Sequence, residues 1–321
     1  MNEKTAILFC PYFGRLPDNF ELWLISAEYN KSIDFYIFTD DNRKWTLPEN
    51  VRIINIPFSD FRNSIQNCFD FRISLNSYYK ICDFRPAFGY IFRELAENYS
   101  FWGHFDLDVI WGNLEKFFPS DISRYGKINN AGHFSLYKNE NAIITAFTKK
   151  VSKIDYRHIL SSPTHYAFDE IGEYGINTIL RKMGIEIFPY EETMARIDCH
   201  ISNLSVGQAY NSIKNRTTKY DRSKMIFSFE DGHVFSYSVI DGIIIEKEWS
   251  YIHLQKRKMH NMVKDSKNSK FLICPHTYED YHLPTKELIQ EKRVSLIYPE
   301  DLKIRLSTGI RRLRREIAVH L

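Results

Sequence analysis

Residues 101–113 read FWGHFDLDVIWGN, and this stretch decides how the rest of the chain is interpreted. Asp106 and Asp108 stand one residue apart in an aromatic and aliphatic run that is typical of a buried strand. Residues i and i+2 of a strand face the same side, and unpaired carboxylates beside apolar side chains cost free energy. The pattern therefore predicts a partner for the two charges, and a hard divalent cation, Mn²⁺ or Mg²⁺, suits paired carboxylate oxygens. The alternative is that one aspartate caps a turn while the other is solvated.

Short apolar runs on both sides of this stretch indicate an α/β fold. Strands are predicted at 5–10, 33–41, 51–58 and 132–139, and helices at 19–30, 86–99 and the second half of 169–184. This alternation indicates a mainly parallel sheet, whose ligands bind beyond the carboxyl ends of the strands. The residues predicted at those ends are Pro11, Tyr12, Phe13, Gly14, Thr39 and Asp40. Beyond residue 220, Asp-Gly pairs at 231–232 and 241–242 predict the hairpins of a β-meander.

The composition is that of a globular protein and argues against several classes. Of 321 residues, 44% are hydrophobic and 26% are charged, and the net charge of +3 is too small to indicate a nucleic-acid partner. Five scattered cysteines favour neither a disulfide framework nor a zinc knuckle, so we expect a reducing compartment. The N-terminal apolar run is too short for a signal peptide or a membrane span, and we expect a cytoplasmic protein.

Two other candidates in the sequence carry chemistry that fits a nucleotide or metal site. Asp83 and Arg85 precede the predicted helix 86–99 and could hold a ribose hydroxyl and a phosphate, or form only a local ion pair. His253 could be a third metal ligand, although a lone histidine is more often structural.

Two further pairs of residues could take part in the same chemistry. Lys256 and Arg257 follow His253 and could face a diphosphate, or form a solvated basic surface. Asp169 and Glu170 stand where a helix is expected to begin, and they act either as helix caps or as a general base on an acceptor hydroxyl.

Together these segments resemble metal-dependent glycosyltransferases of the GT-A fold. In order, CPYFG, FTDD, CDFRPAFG, FWGHFDLDVIWGN, GHFSLYKN, AFDE and HLQKRKM resemble glycosyltransferases from bacterial capsule and O-antigen loci. The likeness covers roughly residues 5–260 and is specific only in combination. It implies a Rossmann-type nucleotide-binding sheet with a C-terminal β-rich and helical extension. The sequence departs from the family pattern in the spacing of Asp83 and Arg85, which is one residue tighter than D-x-x-R, and in lacking a glycine pair before the D-x-D.

The resemblance implies a role for each candidate residue. It implies Mn²⁺ or Mg²⁺ bound by Asp106, Asp108 and His253, with Asp108 preferred as the direct ligand, and a UDP-sugar donor whose hexose we take to be galactose or galactofuranose. It places Pro11–Gly14, Thr39 and Asp40 around the nucleoside, Asp83 on the ribose, Arg85 near the donor phosphates or sugar, and Lys256 or Arg257 on the departing diphosphate. It implies an inverting transfer with Asp169 or Glu170 as base, Asp169 being slightly preferred, and a retaining transfer is the alternative.

The domain organisation predicted from this pattern has three parts. Residues 1–220 form the nucleotide-sugar-binding core, 221–260 form a β-meander that completes the metal site, and 261–321 form an extension. The basic amphipathic pattern at 304–321 predicts contact with the inner face of the membrane, beside a glycan or lipid-linked acceptor, or else a helix packed on the domain. The rival functions are a non-catalytic nucleotide-sugar-binding or carbohydrate-binding protein and a metal-dependent phosphodiesterase or nucleotidyltransferase.

Overall fold

The computed structural model describes most of the chain and allows its fold to be followed. The described residues are 4–170, 172–197, 203–206, 210–211, 216–217, 221–255, 257–264 and 269–293. Lys256 and the predicted amphipathic helix at 304–321 therefore lie outside the described residues.

Ten strands lie among the described residues before 207. They are β1 (Ala6–Pro11), β2 (Ile33–Thr39), β3 (Val51–Asn55), β4 (Phe101–Phe105), β5 (Val109–Trp111), β6 (Lys127–Ile128), β7 (Phe134–Lys138), β8 (Ile187–Phe188), β9 (Ala195–Arg196) and β10 (Leu204–Val206). Seven of them form one sheet in the order β3-β2-β1-β4-β7-β6-β8. The pairs β3–β2, β2–β1 and β1–β4 are parallel, whereas β7 runs antiparallel to both of its neighbours. The expected mixed α/β class with a largely parallel sheet is confirmed.

The helices are short and lie mainly around this sheet. They are α1 (Phe20–Glu28), α2 (Phe58–Gln66), α3 (Phe88–Ile91), α4 (Arg93–Ala96), α5 (Asn141–Ile144), α6 (Tyr156–Ser161), α7 (Ile176–Lys182) and α8 (Lys286–Lys292). Short 3₁₀-helices span Tyr78–Ala87, Glu115–Phe117, Ile122–Arg124, Ala146–Thr148 and Tyr190–Glu192. Within the described residues, no helix is long and apolar enough to cross a membrane.

The first sheet is covered by apolar side chains on both of its faces. Along β1, Ile7 and Phe9 join one buried cluster, whereas Ala6, Leu8 and Cys10 join another. This alternation follows from the period of two in a strand, and it explains why β1 is apolar throughout. The two clusters fix the strands, and therefore also the loops at their carboxyl ends.

Most of the later strands form a second, antiparallel-rich sheet, whereas β11 and β12 pair only with each other and β16 belongs to a third sheet. The later strands are β11 (Tyr210–Asn211), β12 (Arg216–Thr217), β13 (Asp221–Glu230), β14 (His233–Ile240), β15 (Ile243–Trp249), β16 (Tyr251–His253), β17 (His260–Asn261), β18 (Lys270–Ile273) and β19 (Thr277–Asp280). The sheet order is β15-β14-β13-β18-β19-β17, with β10 also pairing with β13. The predicted hairpins are confirmed, because Asp231–Gly232 and Asp241–Gly242 have the positive φ of tight hairpin turns. The boundary predicted at 260 falls inside this sheet, since β18 pairs with β13.

A small third sheet joins these parts and includes the residues that follow Asp108. Its order is β5-β16-β9, in which β16 runs antiparallel to β5 and parallel to β9. The sheet brings His253 opposite Val109, directly after the D-x-D segment. The single long strand expected at 101–113 is therefore wrong, because β4 ends at Phe105 and the chain bends before β5 begins.

Two predicted helices also differ from the structure. The helix expected at 86–99 is a 3₁₀-helix, Tyr78–Ala87, that contains Pro86 and is followed by two single turns, α3 and α4. Proline lacks an N–H group and clashes with the preceding turn, which opposes a continuous α-helix. The helix predicted in the second half of 169–184 is present as α7, but it begins at Ile176, so Asp169 and Glu170 do not stand at its start.

Candidate functional site

A cavity of about 370 Å³ opens beyond the carboxyl end of β4. It brings together six of the residues singled out in the sequence, namely Arg85, Asp106, Asp108, Asp169, Glu170 and His253. In the sheet, β1 leads to β2 on one side and has β4 on the other, so the strand order reverses between β1 and β4. Such a reversal leaves a crevice at the carboxyl ends of the strands, where open α/β sheets bind ligands.

The two aspartates line the cavity from a bend rather than from a strand. The amide of Asp106 donates a 2.9 Å hydrogen bond to the carbonyl oxygen of His133, and the carbonyl oxygen of Asp108 accepts a 2.9 Å bond from Leu254. Leu107, between them, is buried in the core. The expected strand geometry is wrong in detail, but the alternation persists through the bend, so both carboxylates line the same cavity.

Arg85 neutralises charge on two sides of the cavity at once. Its guanidinium forms an ion pair with Asp106 and a second one with Asp169 at 2.9 Å, and it donates to the carbonyl oxygen of Gly132 at 2.6 Å. Burial lowers the pKa of Arg85, but the neighbouring carboxylates outweigh this and raise it well above its ordinary value. Two carboxylates thus hold the guanidinium of Arg85, which lines the cavity, and its expected contact with the donor stays a prediction.

His253 is fixed in place by stacking as well as by the third sheet. Its Nε2 lies 3.4 Å from Oδ1 of Asp108, and its ring stacks on His133 with 3.7 Å between centroids. His133 in turn is bonded through Nε2 to the Tyr251 hydroxyl at 2.9 Å. Burial, and then the neighbouring His253, hold the pKa of His133 well below its usual range, so this ring is neutral at pH 7. His253 and Asp108 thus form a supported pair on one wall.

The acidic pair lies in a turn, not at a helix start. Asp169 is 3% exposed, whereas Glu170 is exposed. Burial raises the pKa of Asp169 to about 7; the Arg85 charge opposes this rise and the Glu170 charge adds to it. A helix dipole does not act on either carboxylate, because α7 begins only at Ile176. The helix-cap interpretation is wrong, and a buried carboxylate that ionises near neutral pH is what a general base requires.

Asp83 anchors the loop that carries Asp169. It is fully buried, forms a 2.7 Å ion pair with Lys80, and accepts 3.0 Å hydrogen bonds from the amides of Tyr166 and Phe168. Between these amides, Ala167 has a φ of 51°, a strained value for a residue with a side chain. The predicted ribose contact of Asp83 is therefore corrected, because its carboxylate is enclosed and already bonded. Its role is to position this loop.

The glycine at position 132 allows the closest approach in the site. A Cβ atom there would lie 2.7 Å from Oε1 of Glu170 and 2.9 Å from Oδ2 of Asp169. Only a residue without a side chain lets the 129–133 loop meet both carboxylates.

The strand-end residues expected around the nucleoside lie nearby but do not line this cavity. The amide of Gly14 donates to Oδ1 of Asp40 at 2.7 Å, which ties the loop after β1 to the loop after β2, and Thr39 is buried. Burial and nearby acidic groups, Asp108 and Asp106 among them, raise the pKa of Tyr12, which places its hydroxyl in the field of the D-x-D segment. Pro11 ends β1, and Phe13 packs in the core. Their expected contact with a nucleoside stays a prediction.

Arg257 is placed away from the cavity. Its guanidinium is buried and donates to the carbonyl oxygens of Pro275 at 3.0 Å and of Asn203 at 3.4 Å. Its expected contact with a departing diphosphate is therefore corrected, because these bonds give it a structural role.

Comparison with known proteins gives a family but no activity. The model of a family of unknown function, DUF6625, matches residues 8–282. The chain belongs to this family. The match spans every residue that lines the cavity and ends before 304–321. No curated protein matches the chain.

In this DUF6625 protein, three residues that line the cavity lie outside the motifs of the sequence. They are Tyr79, His165 and Arg196. Arg196 is the parallel-strand partner of His253 in the β9–β16 register, and both side chains line the cavity. Within the described part of the chain, Arg196 has no ion-pair partner. Its flanking sequence, MARID, gives no signal, because only the pairing of two short strands brings it to the site.

The charge of the cavity is suited to a divalent cation that binds together with a ligand. Four carboxylates and two guanidiniums line it, which leaves a formal charge of −2 when the carboxylates are ionised. No group of three or more His, Cys, Asp or Glu side chains forms a closed metal site among the described residues. Nδ1 of the buried His253 has no hydrogen-bond partner among these residues, and the carboxylate of Asp108 lies beside the other ring nitrogen, Nε2. A pair of protein ligands suffices for a cation whose remaining ligands are water and phosphate oxygens.

Proposed function

We propose that this protein is a metal-dependent glycosyltransferase that moves a hexose from a UDP-sugar to a glycan or lipid-linked acceptor, with inversion. The observation that carries the proposal is the convergence of Asp106, Asp108, Asp169 and His253 in one cavity. These residues come from three segments that are far apart in the sequence, and the resemblance to GT-A glycosyltransferases singles out the same four on sequence motifs alone.

The sheet supports the GT-A-like part of the proposal. Strands β1 to β4 run parallel, and the cavity lies next to the point where their order reverses. Nucleotides bind at such points in open α/β sheets. The loops after β1 and β2, joined by the bond from Gly14 to Asp40, would then hold the nucleoside.

The donor phosphates would be held by residues from three elements. Asp108 and His253 would bind Mn²⁺ or Mg²⁺, with Asp106 as a second carboxylate next to Arg85. The cation would neutralise charge that develops on the departing diphosphate. Arg196 replaces Arg257 as the proposed phosphate-binding arginine, because it lines the cavity without a carboxylate partner in the described structure.

The chemical step would be a single displacement at the anomeric carbon. Asp169 or Glu170 would take the proton of the acceptor hydroxyl, whose oxygen would bond to that carbon. The bond between the carbon and the diphosphate oxygen would break, and UDP would leave with the bonding electrons. Asp169 has the raised pKa that suits a base near neutral pH, whereas Glu170 is the more accessible carboxylate.

A donor screen by released nucleoside diphosphate tests this proposal. With Mn²⁺ and an oligosaccharide acceptor, we expect UDP release from a UDP-hexose, beginning with UDP-galactose, and the product should have the opposite anomeric configuration to the donor. Chelation and Asp108→Asn should both abolish release, whereas Asp121→Asn, an exposed change outside the cavity, should not. Full, metal-dependent activity in both Asp108→Ala and His253→Ala would show that the site is wrongly placed.

A non-catalytic nucleotide-sugar-binding protein is the second candidate. The observation that favours it is the ion pair of Asp169 with Arg85, which holds the preferred base in the cavity wall. It predicts metal-dependent UDP binding without UDP release from any donor, and Asp169→Asn would then leave ligand binding unchanged.

The proposed cellular position depends on the tail as well as on the site. We propose a cytoplasmic enzyme at the inner face of the membrane, where a lipid-linked acceptor would be found. The support is the basic amphipathic pattern at 304–321.

A further inference from the structure

A second cavity of about 690 Å³ is built from α2, the loop that follows it, and the end of α6. It is separate from the cavity that holds the D-x-D segment, and the two have no lining residue in common.

The lining of the second cavity is polar and positively charged. Arg62 and Arg72 both line it and are exposed, and neither has an ion-pair or hydrogen-bond partner in the described part of the chain. None of the described residues that line it carries a carboxylate. Asn63, Asn76 and Ser161 add groups that can hydrogen-bond to a ligand. Two unpaired guanidiniums with neutral polar neighbours favour an oxyanion as the ligand.

The walls of this cavity are held in place by hydrogen bonds within the protein. The Gln66 amide donates to the carbonyl oxygen of Phe71 at 2.8 Å and accepts from the amide of Ile73 at 3.0 Å. The amide of Ser74 donates to the carbonyl oxygen of Leu160 at 2.7 Å, which joins the loop to α6. The cavity therefore exists before any ligand arrives, and binding need not order these segments.

The two cavities are neighbours along the same two chain segments. Pro163 lines the second cavity and His165 the first, while Asn76 lines the second and Tyr79 the first. Chain steps of two and three residues span at most about 7 and 11 Å. A single extended ligand can therefore reach both cavities.

We propose that the second cavity binds an anionic group, a phosphate or a carboxylate, that is carried by the acceptor. The assignment of an oxyanion depends only on the residues of this cavity. Its assignment to the acceptor rests on the proposed function and on the position of Tyr79 and His165, which line the first cavity two or three residues from the lining of the second.

Calorimetric titration with inorganic phosphate and with glucose 6-phosphate tests the proposal without any donor. The titrations use Arg196→Ala as the parent protein and contain no metal, so that the first cavity contributes little. We expect Arg62→Ala and Arg72→Ala each to weaken binding by at least about tenfold, the loss typical of one charge-assisted contact. Arg93→Ala, an exposed arginine that lines neither cavity, should leave binding unchanged.

Each outcome decides one part of the proposal. Binding that is unaffected in the Arg62→Ala, Arg72→Ala double variant would overturn the oxyanion site. Binding of glucose 6-phosphate no tighter than that of inorganic phosphate would overturn the assignment to an acceptor. Absence of donor turnover in the wild-type protein, together with intact phosphate binding, would refute the proposed transferase and leave the oxyanion site assigned, because phosphate binding here does not depend on Asp108 and should be unchanged in Asp108→Asn.

Discussion

At the scale of single residues, Arg85 neutralises the charge of one of the two paired aspartates, Asp106. Its guanidinium lies between Asp106 and Asp169, while Asp108 faces His253 instead. The two aspartates of the D-x-D segment thus face different groups. The sequence identified all five residues, but it could not pair them, since pairing depends on how separate loops meet. The structural role of Asp83 could not be predicted either, because a buried and an exposed aspartate cannot be told apart in a sequence.

Replacing Arg85 should lower the free energy of unfolding, because its guanidinium neutralises two carboxylates. Arg85→Ala leaves Asp106 and Asp169 without their guanidinium, and breaking a buried ion pair costs about 3–5 kcal/mol of the free energy of unfolding. Without Arg85, burial favours the protonated carboxyls, so the folded-state pKa values lie above the unfolded value near 3.9. The penalty is therefore small at acidic pH and grows as the pH rises. Urea unfolding at pH 5 and pH 8 measures it, with Arg93→Ala as control; a loss that does not depend on pH would contradict this account.

The pKa of Asp169 predicts a pH profile for transfer. The base must be ionised, and burial raises the pKa of Asp169 to about 7. We expect kcat/KM to fall about tenfold per pH unit below that value and to level off above it. Asp169→Asn should abolish the activity, whereas Glu170→Gln should keep the fall of kcat/KM on the acidic side of the profile. If the wild-type profile is flat between pH 5.5 and 8, Asp169 is not the base.

At the scale of elements, the long-range pairing of short strands completes the site. The β-meander was predictable because Asp-Gly turns are local signals, and β1 to β4 were predictable from their apolar runs. The sheet β5-β16-β9 was not, since its strands have two or three residues and pair across distant parts of the chain. The 3₁₀-helix at Tyr78–Ala87 was also missed, because the sequence pattern predicted a helix only from Pro86 onward.

The prediction at the scale of elements concerns Arg196, which the β9–β16 register places beside His253. If Arg196 binds the donor diphosphate beside His253, Arg196→Ala should raise KM for the UDP-sugar by at least about tenfold, and Arg196→Lys should recover part of the loss. Initial-rate kinetics at saturating Mn²⁺ measure the change, and Arg93→Ala provides the matched control. An unchanged KM in Arg196→Ala would remove Arg196 from the donor site.

At the scale of the whole molecule, two cavities of opposite charge lie side by side. The first has a formal charge of −2 with its carboxylates ionised, and the described lining of the second is positive. A chain with a net charge of only +3 therefore separates its charge locally, which the total could not reveal. Such an arrangement suits a cation and its phosphate ligand in one cavity and an anionic group in the other.

Calorimetric titration of UDP with and without Mn²⁺ tests the central claim most directly. We predict that Mn²⁺ strengthens UDP binding by at least about tenfold in the wild-type protein, as expected when a cation bridges carboxylate and diphosphate. Asp108→Asn and His253→Ala should lose this enhancement, whereas Asp121→Asn should keep it. UDP binding that is equally tight with and without Mn²⁺, or an enhancement that survives in both cavity variants, would contradict the account.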